Sequence, residues 1–263
     1  MIIDAHTHIH RDPRAFGKGL DASAENLVRS LKRAGVDKAV VLPIYPDVSN
    51  EFVAEVCAQY PRHLIGFASV DPADKKALKQ LDACVGKRHL QGLKIHPRVQ
   101  RISPNDPRVI RLVTLAAEIG IPVVLDCFPQ YSAAFEVEKT FPQRIGELAR
   151  AVPGARIIMA HAGGYKMWDA FFVARAHPNI YLDFSFSPQY FKGSSLWQDL
   201  GFILKKLGAH RCIYGSDHPE VSVGESLTAA RRLIAPLRLS VREKEWFFGK
   251  TFLSVLSREA SRE

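Results

Sequence analysis

Short apolar runs rich in β-branched residues alternate along the chain with longer segments whose apolar positions recur at helical spacing. Eight runs read as strands: "MIIDAHTH" (1–8), "KAVVLPI" (38–44), "LIGFASV" (64–70), "LQGLKIH" (90–96), "IPVVLDCF" (121–128), "ARIIMAH" (155–161), "NIYLDFS" (179–185) and "RCIYGSD" (211–217). Several are almost wholly apolar, as strands covered on both faces must be. The intervening segments carry helix punctuation. "DASAENLVRSLKRAG" offers Asp21 or Ser23 as N-cap and Gly35 as terminator. "SNEFVAEVCAQYP" opens on a capping signature and stops before Pro61. "DPRVIRLVTLAAEIG" starts with Pro107 just inside the helix and ends at Gly120, and "FPQRIGELARAVPG" and "SLWQDLGFILKKLG" follow the same plan.

Strands alternating with helices imply parallel strands joined by helical crossovers. Eight units in about 250 residues predict an α/β fold of the (β/α)8 TIM-barrel type, regular or distorted. A doubly wound open sheet would gather its ligand groups at one switch point, whereas polar residues end nearly every strand here. No Pro-, Gly- or Ser-rich linker divides the 263 residues, so one barrel domain over 1–263 is expected. Strands and crossovers use the chain to about residue 220. "GESLTAARRLIAPLRLSVREKEWFFGKTFLSVLSRE" then supplies closing helices, with Leu237, Leu239, Val241, Trp246, Phe247 and Phe248 packing back on the barrel. The same aromatic segment would suit a homodimer interface, and burial within one chain explains it equally well.

Composition changes this picture little. The chain is 47% hydrophobic, enough for a large core, and carries a formal net charge of +9. The basic residues are dispersed on solvated helix faces rather than gathered into a stripe, so no nucleic-acid partner is expected. Cys57, Cys84, Cys127 and Cys212 form no C-x-x-C pair and read as reduced thiols. The N-terminus has no secretory signature, and no apolar run approaches the ~18 residues of a membrane span. These features predict a cytoplasmic protein without a membrane partner.

In a TIM barrel the working residues sit at the C-terminal strand ends. Read in order, those ends carry His6 and His8, then Lys94 and His96, Asp126, His161, Asp183, and Asp217 followed by His218. Side chains two apart on a strand share a face, so His6 and His8 project together and can share one metal. Asp4 has the same parity deeper down, where a carboxylate could orient a ligand histidine. His10 lies past the strand end and is read as a loop residue. His63, His89, His177 and His210 lie away from the strand ends and are read as surface or structural.

"IDAHTHIH", "GLKIHPRVQ", "IIMAHAGG", "NIYLDFS" and "IYGSDHP", in this order, resemble the amidohydrolase superfamily. The resemblance is to the branch that includes aminocarboxymuconate-semialdehyde decarboxylase and pyrone-dicarboxylate hydrolases, and it covers most of the chain. It implies that His6 and His8 are the first metal ligands. It implies that Asp217 touches the metal and takes the proton of its water, and that His161 polarises substrate or ligates a second metal. Lys94 falls where relatives carry a glutamate or a carboxylated lysine ligand. Strand five departs from the pattern: Asp126 stands where relatives carry histidine. A carboxylate can ligate zinc, so a site of His6, His8, Asp126 and Asp217, with Lys94 and His161 as further ligands, is one expectation. Zinc is expected first, manganese second, and a metal-free site is the alternative.

The resulting reading is a metal-dependent hydrolase of a C–N or C–O bond in a small carboxylated molecule, with a non-oxidative decarboxylase or a metal-free hydrolase as alternatives. Arg98 and Arg101 are candidates for a substrate carboxylate, since arginine pairs with it through two parallel bonds. The aromatic loops offer Tyr131, Tyr165, Trp168 and Tyr190, with Tyr165 and Tyr190 the substrate-binding candidates. Lys166 and Lys192 are weaker anion contacts.

Overall fold

A computed structural model describes residues 1–17, 19–130 and 141–257. Tyr131 lies outside the described residues. All eight expected strands are present, each shorter than its apolar run: β1 Ile3–Thr7, β2 Lys38–Val41, β3 Leu64–Gly66, β4 Leu93–Ile95, β5 Val123–Leu125, β6 Ile157–Met159, β7 Ile180–Asp183 and β8 Cys212–Ile213. They pair in parallel in two sheets, β1-β2-β3 and β4-β5-β6-β7-β8. Both seams are stitched. Across β3 and β4, Ala68 N donates to Gly92 O (2.8 Å) and Lys94 N to Ala68 O (2.7 Å). Across β8 and β1, Ala5 N donates to Tyr214 O (3.0 Å), His8 N to His218 O (2.7 Å) and Asp217 N to His6 O (2.8 Å). The eight strands therefore close into a TIM barrel, with the crossover helices outside.

The helix signals act as the local chemistry requires. Ser23, not Asp21, caps the helix Ala24–Ala34, and Gly35 ends it in the left-handed region at φ 69°. Ser49 caps Asn50–Gln59, and Pro107 opens Pro107–Glu118. Residues on alternate faces of each strand separate into two cores. Val40, Leu42, Ile65, Phe67, Val124, Ile158 and Ile213 fill the barrel interior, closed below by Phe252 and Val255. Leu93, Ile95, Val123, Leu125, Ile157, Met159, Ile180 and Leu182 face the helices. Phe247 and Phe248 pack on Tyr214 and are buried within the chain, whereas Val241 is 74% exposed at the start of a short helix.

The alternation fails on β1, and the failure matters. Ile3 and Ala5 belong to the interior core. A register irregularity between Asp4 and Thr7 then lets His6 face the interior as well. Asp4 is therefore not beneath the histidines as simple parity predicts.

Gly92 marks a close approach. A Cβ there would sit 2.3 Å from the Phe67 ring, and Phe67 is fully buried. Gly92→Ala is expected to destabilise the fold by about 3 kcal/mol and lower the melting midpoint by about 5–10 °C, read by thermal unfolding. An unchanged midpoint would show that the Phe67 ring can yield.

Candidate active site

The C-terminal mouth of the barrel opens into a cavity of about 780 Å³. Its floor is formed by His6, His8, Lys94, His96, Asp126, His161 and Asp217; Arg98 and Glu220 stand higher; Phe16, Phe128, Tyr165, Phe186, Tyr190 and Phe191 wall it. Arg101 does not line it. It is exposed in the left-handed region where the short helix Pro97–Gln100 ends. Trp168 lies on the outer surface bonded to Asp199, Lys166 pairs with Asp169, and Lys192 borders a separate surface pocket.

The floor divides into two halves that hydrogen bonding distinguishes. In the first, His6 Nδ1–H donates to Asp183 Oδ2 at 2.6 Å, and His8 Nδ1–H donates to the Leu42 carbonyl at 2.7 Å. A carbonyl or carboxylate only accepts, so each ring carries a hydrogen on Nδ1, and the neutral His6 ring keeps a lone pair on Nε2. Both Nε2 atoms approach one oxygen: Asp217 Oδ1 is 3.5 Å from His6 Nε2 and 3.2 Å from His8 Nε2. Burial first, and the nearby Lys94 charge, hold the His6 pKa well below its ordinary value, which keeps the ring neutral. Asp217 is held below the usual carboxylate range: burial alone would raise its pKa, and His161, His8 and His6 together outweigh it. The His6 Nε2 lone pair and the Asp217 carboxylate are donors of the kind a cation takes.

In the second half, His161 Nε2 lies 3.2 Å from Asp126 Oδ1. Its Nδ1 lies 3.0 Å from Ser185 Oγ and 3.3 Å from the Ser185 carbonyl. The Ser185 hydroxyl donates its one hydrogen to Asp183 Oδ2 at 2.8 Å, so it accepts from His161. Both His161 nitrogens thus carry hydrogen. The pKa shift agrees: burial lowers it, but the Asp126 hydrogen bond and the surrounding carboxylates win and raise it. The Asp126 carboxyl is held well below its ordinary pKa, because His96, His161 and Lys94 outweigh the opposing effect of burial. His96 Nδ1 is 3.6 Å from Asp126 Oδ2, and burial pushes its own pKa down to about 4.

His6, His161 and Asp217 offer ligand atoms within 4.8 Å of one another, so the site can hold a metal. Asp126 lies against His161 and His96, at 3.2 and 3.6 Å.

Asp183, not Asp4, orients His6. Asp4 Oδ1 accepts instead from the backbone N–H of Ser216 (2.8 Å) and of His6 (3.3 Å), tying β1 to the turn that carries Asp217. Gly215 in that turn has no room for a side chain: a Cβ would lie 2.9 Å from His6 Cβ and 3.0 Å from Asp183 Oδ1. Three residues lining the cavity have positive φ without being glycine, His161 at 57°, Phe186 at 61° and Asp217 at 71°. Such conformations cost roughly 1–3 kcal/mol each and cluster at functional sites. Ser185 and Asp183 were the residues least visible in the sequence as partners; "LDFS" after an apolar strand is their only signal.

A closed barrel with imidazole, carboxylate and guanidinium groups at its C-terminal mouth defines an enzyme of the TIM-barrel class. The chain belongs to the amidohydrolase family, whose model matches residues 3–251. Solved structures agree on the fold. An uncharacterised TIM-barrel protein from Bordetella bronchiseptica is 19% identical, with 97% of this chain and 98% of that one covered and a TM-score of 0.80. A dihydroxybenzoic acid decarboxylase from a Polaromonas species, with bound manganese and the inhibitor 2-nitroresorcinol, is 16% identical over 100% and 98% of the two chains, at TM-score 0.75. An Acinetobacter baumannii protein described as a probable 2-pyrone-4,6-dicarboxylic acid hydrolase, with citric acid bound, is 14% identical over 97% and 98%, at TM-score 0.71. No curated protein sequence matches the chain. Among the described residues no helix is long and apolar enough to cross a membrane, and all four cysteines are free thiols.

Proposed function

We propose that the protein is a cytoplasmic hydrolase that opens an amide, lactone or similar C–N or C–O bond in a small carboxylated substrate. The reading is carried by the convergence of His6 Nε2 and His8 Nε2 on Asp217 Oδ1, at 3.5 and 3.2 Å. Zinc held by His6, His8 and Asp217 would supply Lewis acidity that lowers the pKa of water toward neutrality. Asp183 and the Leu42 carbonyl keep both imidazoles in the tautomer this requires. Asp217 accepts the proton of the attacking water. His161 shares its Nε2 hydrogen between Asp126 and the carbonyl oxygen as charge develops there, then passes that proton to the leaving group. Asp126 keeps His161 charged and aimed.

Arg98 takes the substrate carboxylate. It lines the cavity, its buried Nε has no hydrogen-bond partner, and no carboxylate pairs with it among the described residues. The T-shaped and stacked contacts of Phe128, Phe186 and Tyr190, with centroids 5.2–5.4 Å apart, form a wall against which a flat substrate packs. Arg98→Leu is expected to raise KM about 30-fold for a carboxylated substrate, as loss of one charge-assisted pair implies. It should change KM little for the corresponding methyl ester; equal effects on both would remove Arg98 from carboxylate recognition.

A non-oxidative decarboxylase is the second reading. The proton retained on His161, beside the aromatic wall, could be delivered to a ring carbon as carbon dioxide leaves, and the Polaromonas structure is that of a decarboxylase. The two are separated by offering the zinc-loaded protein cyclic lactones and hydroxybenzoic acids. Acid release without carbon dioxide supports hydrolysis; carbon dioxide evolution without ring opening overturns it.

A further inference from the structure

Trp168, Phe172 and Phe202 are 39, 58 and 45% exposed. Among the described residues one other aromatic side chain is exposed, Tyr190, and it belongs to the cavity wall. The three therefore form a separate face on the outside of the barrel. Trp168 and Phe172 stand one turn apart on the helix Met167–Ala176, and Phe202 stands on the helix Ser195–Leu207. The Trp168 ring joins them, its centroid 6.4 Å from Phe172 and 5.6 Å from Phe202. Large apolar rings gathered on one solvent face, rather than scattered singly, mark an interaction surface.

Helix direction orders the charges around these rings. Each helix lies between consecutive parallel strands, β6 and β7 or β7 and β8, so the two run the same way. Asp169 and Asp199 lie towards the N-terminal ends, and Asp199 accepts from Trp168 Nε1 at 3.2 Å. Lys166 offsets Asp169 from 3.7 Å. Arg175 and Lys206 lie in the last turns. Each sits 5.6 Å from a ring centroid, of Phe171 and Phe202 respectively, so both cations border the aromatic face. Lys205 pairs elsewhere, with Glu243. Phe172 falls midway between Asp169 and Arg175, and Phe202 near the midpoint of Asp199 and Lys206. A twofold axis crossing both helices at Phe172 and Phe202 would lay each helix antiparallel on its own copy. Acidic ends would then meet basic ends, with the rings at the centre. A twofold contact must be self-complementary in this way.

We propose that this face is the contact between two copies of the chain, related by that axis. Phe247 and Phe248, in the segment whose aromatic residues suited a dimer, are buried in the chain's own core, so the contact moves to Trp168, Phe172 and Phe202.

Sedimentation equilibrium of the full chain at micromolar concentration is expected to give twice the mass of one chain. Phe172→Glu and Phe202→Glu, each on an exposed side chain, should weaken the association at least about tenfold while melting stays cooperative. A second pair of variants tests the axis. Asp169→Lys with Asp199→Lys makes both ends of the face basic, and Arg175→Glu with Lys206→Glu makes both ends acidic. Each double variant alone should sediment as a single chain. An equal mixture of the two should recover the double mass, because every basic end then meets an acidic one. A single-chain mass for wild type at every concentration overturns the proposal. Dimers that survive these substitutions overturn it too, as does a mixture that stays monomeric.

Discussion

Asp217→Asn is expected to lower kcat/KM by about 10³-fold or more while leaving the fold intact. The carboxylate has two tasks in the proposed mechanism, as a donor beside His6 and His8 and as the acceptor of the water proton. An amide performs neither well: its oxygen is a weaker donor and it has no basic site near neutral pH. General base catalysis alone contributes about 10²–10⁴-fold, and the weakened donor set adds to the loss. Backbone strain does not confuse the result. Asp217 sits at φ 71°, and asparagine is the substitute that best tolerates this region. Its side chain keeps the size of aspartate, so the two imidazoles need not move. The measurement pairs steady-state kinetics with bound-metal analysis and thermal unfolding. Activity within tenfold of wild type at an unchanged melting midpoint would remove Asp217 from the chemistry.

Asp126→Asn separates two roles for the residue that departs from the family pattern. As a metal ligand, Asp126 would be needed for occupancy, and the variant would lose metal and activity together. As the partner of His161, it would be needed for proton delivery, and the variant would keep its metal. The hydrogen-bond pattern favours the second. Asp126 Oδ1 lies 3.2 Å from His161 Nε2, and His161 already carries hydrogen on both nitrogens. The expected result is wild-type zinc stoichiometry with kcat reduced about 100-fold, in the range of a lost general acid. The asparagine carbonyl can still accept from His161 Nε2, so the ring stays in place. What goes is the negative charge that raises the His161 pKa. A parallel fall in metal content and kcat would return Asp126 to the ligand set.

The site was legible in the sequence as residue types at strand ends. Ten residues name it: His6, His8, Lys94, His96, Arg98, Asp126, His161, Tyr165, Tyr190 and Asp217 line one cavity, and each stands at or after the end of an apolar run. Arg101 failed the same logic because the short helix after β4 ends at Arg101 itself and turns it into solvent. The pairings were not legible. Parity along β1 nominates Asp4 as the support for a histidine, and the irregularity between Asp4 and Thr7 cancels that parity.

The chain's own pattern determined the order and type of elements. Apolar runs, caps at Ser23 and Ser49, Pro107 and Gly35 all act within a few residues, where steric and hydrogen-bond preferences operate without help from the rest of the fold. Barrel closure and the assignment of roles came only with tertiary structure. His6 meets Asp183 across 177 residues, and Ser216 meets Asp4 across 212. Such contacts depend on strand register and barrel closure, which place β1 beside β8. Which histidine keeps a lone pair and which keeps a proton depends on these distant partners: Asp183 leaves His6 Nε2 bare, while Asp126 and Ser185 keep His161 protonated. Histidine spacing brings the imidazoles together, but a proton's position is set by whatever acceptor the closed barrel brings within about 3 Å.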